Sequence, residues 1–76
     1  MNYIQTVDDM TKGSLWVVTA ESIGPSRTPK GTLILLTHDP KFWDQYGNIP
    51  CMFFGEKDRF DLIAQNWLSY NAQKIV

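Results

Sequence analysis

Lys30-Gly31-Thr32-Leu33-Ile34-Leu35-Leu36-Thr37 is the stretch whose reading decides the fold. Four consecutive large apolar residues stand between a Pro29-Lys30-Gly31 turn and a His38-Asp39-Pro40 turn. The run is too short for a buried helix and has the length of a central strand. Unbroken apolar character implies packing on both faces, or a strand bent over a small core.

Working outward, Leu15-Trp16-Val17-Val18-Thr19-Ala20 is a second strand, rich in β-branched and aromatic residues. Glu21 to Lys30 reads as a loop, because Ser22, Gly24, Pro25, Ser26, Thr28 and Pro29 oppose regular structure. Lys12-Gly13-Ser14-Leu15 echoes Lys30-Gly31-Thr32-Leu33, and each is followed by three apolar residues and Thr. Each Gly is read as a backbone bend before a strand of one core. Ahead of this, Tyr3-Ile4-Gln5 reads as a short edge strand or a staple. Thr6-Val7-Asp8-Asp9 reads as a helix N-cap followed by acids, with Gly13 as the stop.

Downstream, Asp39-Pro40 ends the central strand, and Lys41 to Asn48 forms another loop, with Gly47-Asn48 and Pro50 as turn residues. Cys51-Met52-Phe53-Phe54 is a third strand, stopped by Gly55. The C-terminal piece supports two readings. Phe60, Ile63, Ala64, Trp67 and Leu68 match the amphipathic template, giving an α+β chain with a longer helix over 57–70. The other reading has a strand at Phe60-Asp61-Leu62, one helical turn through Gln65-Asn66-Trp67, and a last strand near Lys74-Ile75-Val76.

Seventy-six residues make a single domain, spanning 1–76, that buries a modest share of its surface. Cys51 is the only cysteine, so no disulfide forms within one chain, and a reducing compartment fits. Three Trp, three Tyr and four Phe supply a core without staples. A net charge of −1 gives no electrostatic footprint for nucleic acid or an anionic membrane. There is no apolar run of about 20 residues to span a bilayer. Met1 to Met10 carry two Asp and no Lys or Arg, unlike a secretory signal, so the expected location is the cytoplasm.

Gly13-Ser14-Leu15-Trp16 and Lys30-Gly31-Thr32-Leu33, with the loop spacing between them, resemble the steps that open strands in small SH3-like barrels. The resemblance covers roughly residues 12 to 76. It implies a mostly β chain: a small barrel or a strongly bent antiparallel sheet with a short C-terminal helix. The acidic-aromatic set that eukaryotic SH3 domains use for proline-rich ligands is absent. Glu21 is the only acid between Trp16 and Asp39, and no aromatic accompanies it. The size and style also resemble the accessory proteins of bacterial viruses, which often act by binding one host protein.

No constellation for catalysis emerges. His38 beside Asp39 reads as a turn starter, because adjacent side chains usually point apart. Cys51 opens an apolar strand and reads as a small buried hydrophobe. One His, one Cys and scattered acids lack metal-ligand spacing, and no cofactor fingerprint occurs. Asp58 and Asp61, with Lys57 and Arg59 interleaved, read as a solvated ion-paired face.

The candidates for binding are Phe42, Trp43 and Tyr46, three aromatics in one turn-rich loop, with Arg27 and Lys30 on the other loop. If both loops lie at one end, they form an aromatic patch with a basic rim. Phe53 and Phe54 are adjacent on a strand and face opposite sides. One of them therefore needs cover from the C-terminal segment or from another molecule, which admits a homo-oligomer. The resulting expectation is a non-enzymatic module that binds a protein, such as a virus-encoded modulator or inhibitor of a host protein. Its alternative is a small nucleic-acid-binding barrel that stacks bases on aromatics.

Overall fold

The computed structural model describes residues 9–20, 28–39, 43–55 and 58–76. They form β1 (Leu15–Val18), β2 (Leu33–Leu36), β3 (Asn48–Phe54), β4 (Arg59–Ala64), α1 (Gln65–Asn71) and β5 (Ala72–Lys74). One antiparallel sheet runs in the order β4-β3-β2-β1-β5, so the apolar run of β2 is the central strand. The chain is thus mostly β with a short C-terminal helix. The sheet is not closed into a barrel. β4 and β5 remain its two edges, and α1 carries the chain from one to the other.

The long helix over 57–70 does not form. Arg59–Ala64 pairs along its whole length with β3, from Phe53↔Arg59 to Asn48↔Ala64. A helix would satisfy the same backbone groups internally, and what the ladder adds is the placement of Ile63 opposite Ile49 in the core. Helix begins only at Gln65, without a side-chain cap and with Leu68 as its buried residue. Seven residues are too few to be stable alone, so α1 depends on its packing. Its far end is tied to β1, since the Asn71 carbonyl accepts the backbone N–H groups of Thr19 at 2.8 Å and Ala20 at 3.2 Å. The readings placed on Tyr3-Ile4-Gln5 and on Thr6 to Asp8 lie outside the described residues.

The sequence echo has a structural counterpart. Gly13 and Gly31 both adopt positive φ, 84° and 92°. Gly13 N–H donates to Leu36 C=O, and Gly31 N–H donates to Val18 C=O, each at 2.8 Å. Each glycine turn therefore caps the end of the other strand. Trp16 and Ile34, equivalent in the echo, pair with each other, so β1 and β2 are related by a local two-fold.

Pro50 was expected in a turn but lies inside β3. Its carbonyl accepts Thr37 N–H at 3.1 Å, just beyond the last pair of the β2 ladder, Leu36↔Cys51. N–H and C=O of one strand residue point the same way. The missing donor of Pro50 therefore faces a ladder that is already ending, where its loss is tolerated.

Burial alternates along β1, β2 and β3. Trp16, Val18, Ile34, Leu36, Ile49, Cys51 and Phe53 face the core, where Met10, Ile63, Leu68 and Ala72 join them. The indole of Trp16 donates to Ser14 Oγ at 2.9 Å, and that hydroxyl donates to the Thr11 carbonyl at 2.6 Å. The largest core residue thus buries its one polar atom satisfied. Phe54 takes the opposite side of β3 from Phe53, as strand alternation requires, and is half-buried.

Candidate functional site

Residues directly opposite each other in a ladder project from the same face. The register therefore fixes what lies on the side of the sheet away from the core. Leu15 opposes Leu35, Leu35 opposes Met52, and Met52 opposes Phe60. Ile75 extends this row beyond β5, donating its N–H to the Leu15 carbonyl at 2.7 Å. Five apolar side chains thus cross the full width of the sheet. Val17, Leu33 and Phe54 form a second row, ending at Gln73. Pro50 and Leu62 begin a third.

No charged residue stands in these rows. Leu15, Val17, Leu33, Leu35, Met52 and Phe54 are half-buried by their neighbours, while Phe60 is 75% exposed, Leu62 54% and Ile75 51%. Antiparallel sheets with one solvated face usually place polar residues there. This face does the opposite. Sequence reasoning reached Phe54, and one of its two C-terminal readings placed a strand at Phe60-Asp61-Leu62, but it assigned neither Phe60 nor Leu62 to a binding surface. The alternation Arg59-Phe60-Asp61-Leu62 was the available signal.

The two described aromatics of the 41–48 loop are placed differently from each other. Trp43 is half-buried, packs against the core, and donates its indole N–H to the His38 carbonyl at 3.3 Å. Tyr46 is 78% exposed. It sits on a turn organised by Asp44, whose Oδ1 accepts the N–H groups of Tyr46 and Asn48, both at 2.9 Å. Oδ2 accepts Asn48 Nδ2 at 3.0 Å. These bonds, the Asn48 N–H foremost, hold the Asp44 carboxyl below its ordinary 3.8.

Lys30 is exposed, in the turn before Leu33. Tyr46 precedes Asn48, at the end of the sheet where β2 finishes at Leu36. The two lie at opposite ends of the sheet, so a patch combining Tyr46 with Lys30 as its basic rim does not form. Phe42 and Arg27 lie outside the described residues.

The residues considered for chemistry are dispersed. Cys51 is buried, and desolvation, with the Asp61 carboxylate opposite it, pushes its thiol up to about 12. That is a thiol held away from its nucleophilic form. His38 is exposed, with Nδ1 2.9 Å from the Thr37 hydroxyl. Among the described residues no group of three His, Cys, Asp or Glu gathers as for a metal. No described helix is long and apolar enough to cross a membrane.

One cleft, of about 170 Å³, lies beside β4 and is lined by Thr28, Phe53, Arg59, Asp61, Ile63 and Trp67 among others. It is smaller than the ~300 Å³ at which small-molecule sites begin. Its charged groups are engaged within the chain. The Arg59 guanidinium lies 4.5 Å from the Phe53 ring centroid, and Arg59 Nε is 3.8 Å from Asp61 Oδ2. Asp61 Oδ1 accepts Leu62 N–H at 2.8 Å. A charged side chain that occupies an outward N–H blunts β4 as a template for strand addition.

No protein family, curated protein or solved structure matches this chain.

Proposed function

We propose that this chain is a non-enzymatic protein-interaction module, and that it docks through the outer face of its sheet onto an uncharged, apolar protein surface. The observation that carries this reading is the row Ile75–Leu15–Leu35–Met52–Phe60, apolar across every strand. Contiguous apolar surface of this kind on a small chain marks an interaction site more often than an accident of composition. The chemistry of the partner follows from the absence of charge in the face. A highly charged partner would lose hydration there without gaining a counter-ion.

Action by occupancy suits a modulator or inhibitor of a host protein. The strand order, a four-strand meander with the last strand folded back beside the first, supports the resemblance to small SH3-like barrels. Tyr46 adds an exposed aromatic at one end of the sheet. The nucleic-acid alternative gains less. Phe60 offers a stacking surface, but the described residues of the outer face include no Lys or Arg to hold a phosphate backbone.

The test is capture by immobilised chain from the source cell, comparing the wild type with Phe60→Lys and Tyr46→Ala. Loss of a specific protein band with Phe60→Lys is expected. Undiminished capture by that variant sinks the assignment of the outer face.

A further inference from the structure

We infer that one occupant of the outer face is a second copy of this chain, stacked on it about a two-fold axis. This rests on the docking face proposed above and specifies its partner. Three observations lead there. The first is area. Each side-chain position on a sheet face covers about 33 Å², from an inter-strand spacing of about 4.8 Å and a same-face repeat of about 6.8 Å. The ten apolar positions of the three rows then project on the order of 300 Å². Accessible surface is larger than its projection, since Phe60, Leu62 and Ile75 stand exposed above the rest. Two stacked faces remove about 600 Å² of projected area and more of accessible surface, within the range of weak reversible interfaces, below roughly 1,200 Å².

The second observation is charge. In an isologous contact residue i of one copy meets residue j of the other and j meets i, so a charged face must complement itself to associate. A row without charge is compatible with its own copy and gains nothing from a charged partner.

The third observation is relief. Phe60 and Leu62 at the β4 side of the face and Ile75 at the opposite side stand highly exposed, whereas Leu15, Val17, Leu33 and Leu35 between them are half-buried. A two-fold running along the central strand β2 lays the β4 side of each copy over the β1–β5 side of the other, so that Phe60 of one copy meets Ile75 of the other. The exposed side chains at the two ends of the row then cover one another at the usual spacing of stacked sheets, about 10 Å. Both sheet edges stay outside the contact, consistent with Asp61 shielding β4.

Sedimentation equilibrium of the full chain between 1 and 500 μM tests this, with circular dichroism as the control for folding. The expected result is a monomer–dimer equilibrium at tens of micromolar. Phe60→Lys should weaken it at least tenfold, while Tyr70→Lys on exposed α1 should leave it unchanged. Val17→Lys, on β1 within the face, should weaken it as Phe60→Lys does, and Phe60 and Val17 variants should not rescue each other by mixing. A chain that stays monomeric throughout overturns the self-association, and the capture experiment then still decides whether the face binds another protein. A dimer that survives Phe60→Lys but is lost with Tyr70→Lys also overturns it, because the contact then lies on the helix side.

Discussion

The two faces of this sheet are built from the same kind of residue and have different fates. On β2 the residues alternate Leu33, Ile34, Leu35, Leu36, and every one is a large aliphatic. Ile34 and Leu36 are fully buried against Trp16, Ile49 and Leu68, while Leu33 and Leu35 are half-buried on a face that α1 does not cover. On β3 the same split separates Cys51 and Phe53 from Met52 and Phe54. Burial in this chain is therefore decided by where α1 and the turns lie, and hydrophobic pattern alone does not distinguish the faces. This sheet, apolar on both sides, buries one side in its own core and leaves the other uncovered by the described residues.

The sharpest way to break the comparison uses two neighbouring leucines. Leu36→Ala should destabilise the fold by about 2–5 kcal/mol, the cost of a core cavity. Leu35→Ala should cost about 1 kcal/mol or less when measured on dilute monomer, because only part of its side chain leaves water. Urea unfolding followed by tryptophan fluorescence gives both numbers. Equal losses would mean that the outer face is closed in the monomer, and the contrast between the faces would collapse.

Cys51 and Met52 offer a chemical version of the same contrast. The thiol on the core side is pushed up to about 12 from an ordinary 9.0, chiefly by desolvation. Its thiolate population near neutral pH is then lower by ~10³, and iodoacetamide should react about that much more slowly than in denaturant. The sign of the linkage is that of a raised acid. Its contribution to stability is complete below 9.0 and is lost as pH rises toward about 12, because the unfolded thiol ionises first. Met52 on the outer face should take up peroxide oxygen without prior unfolding. Alkylation of Cys51 at its denatured rate would place it on the wrong side of the sheet.

Smaller effects are expected at the two ends of the β1–β2 pair. A Cβ added at Gly13 or Gly31 meets nothing within 4 Å, so any cost comes from φ alone. Ala at either position should cost about 1–2 kcal/mol, and the local two-fold makes the two values similar. A loss at one end only would show that the resemblance of the two turns is superficial.

How much of this was legible follows from where the signals are local. β2 announced itself, since its flanking turns and four aliphatics admit little else, and the Lys-Gly echo foretold two glycine bends. The division between faces was not legible, because alternation cannot be read where both sets are apolar. Pro50 misled for a positional reason, as its harmless placement depends on β2 ending opposite it. The segment from Phe60 to Leu68 fits a helical period and an alternating one, and pairing with β3 decided between them. Lys30 and Tyr46 are each correctly exposed, but their separation is a matter of register, which no loop composition encodes.

The smallest predicted effect lies at the turn that delivers β3 to the sheet, where a polar device replaces apolar packing. Asp44 collects the N–H groups of Tyr46 and Asn48 and the Asn48 amide, and its carbonyl accepts Gly47 N–H at 3.0 Å, with Gly47 at φ 77°. Its carboxyl is held below 3.8, so the ionised form favours the folded turn. That contribution is present above 3.8 and fades as pH falls through the lower folded value. The amide resonances of Tyr46 and Asn48 should therefore shift together with a midpoint below 3.8, while amides of β1 and β2 hold still. Asp44→Asn keeps one acceptor oxygen and abolishes the titration. A midpoint at or above 3.8 would mean that the carboxylate does not organise the turn, and Tyr46 would then lack a fixed presentation at its end of the sheet.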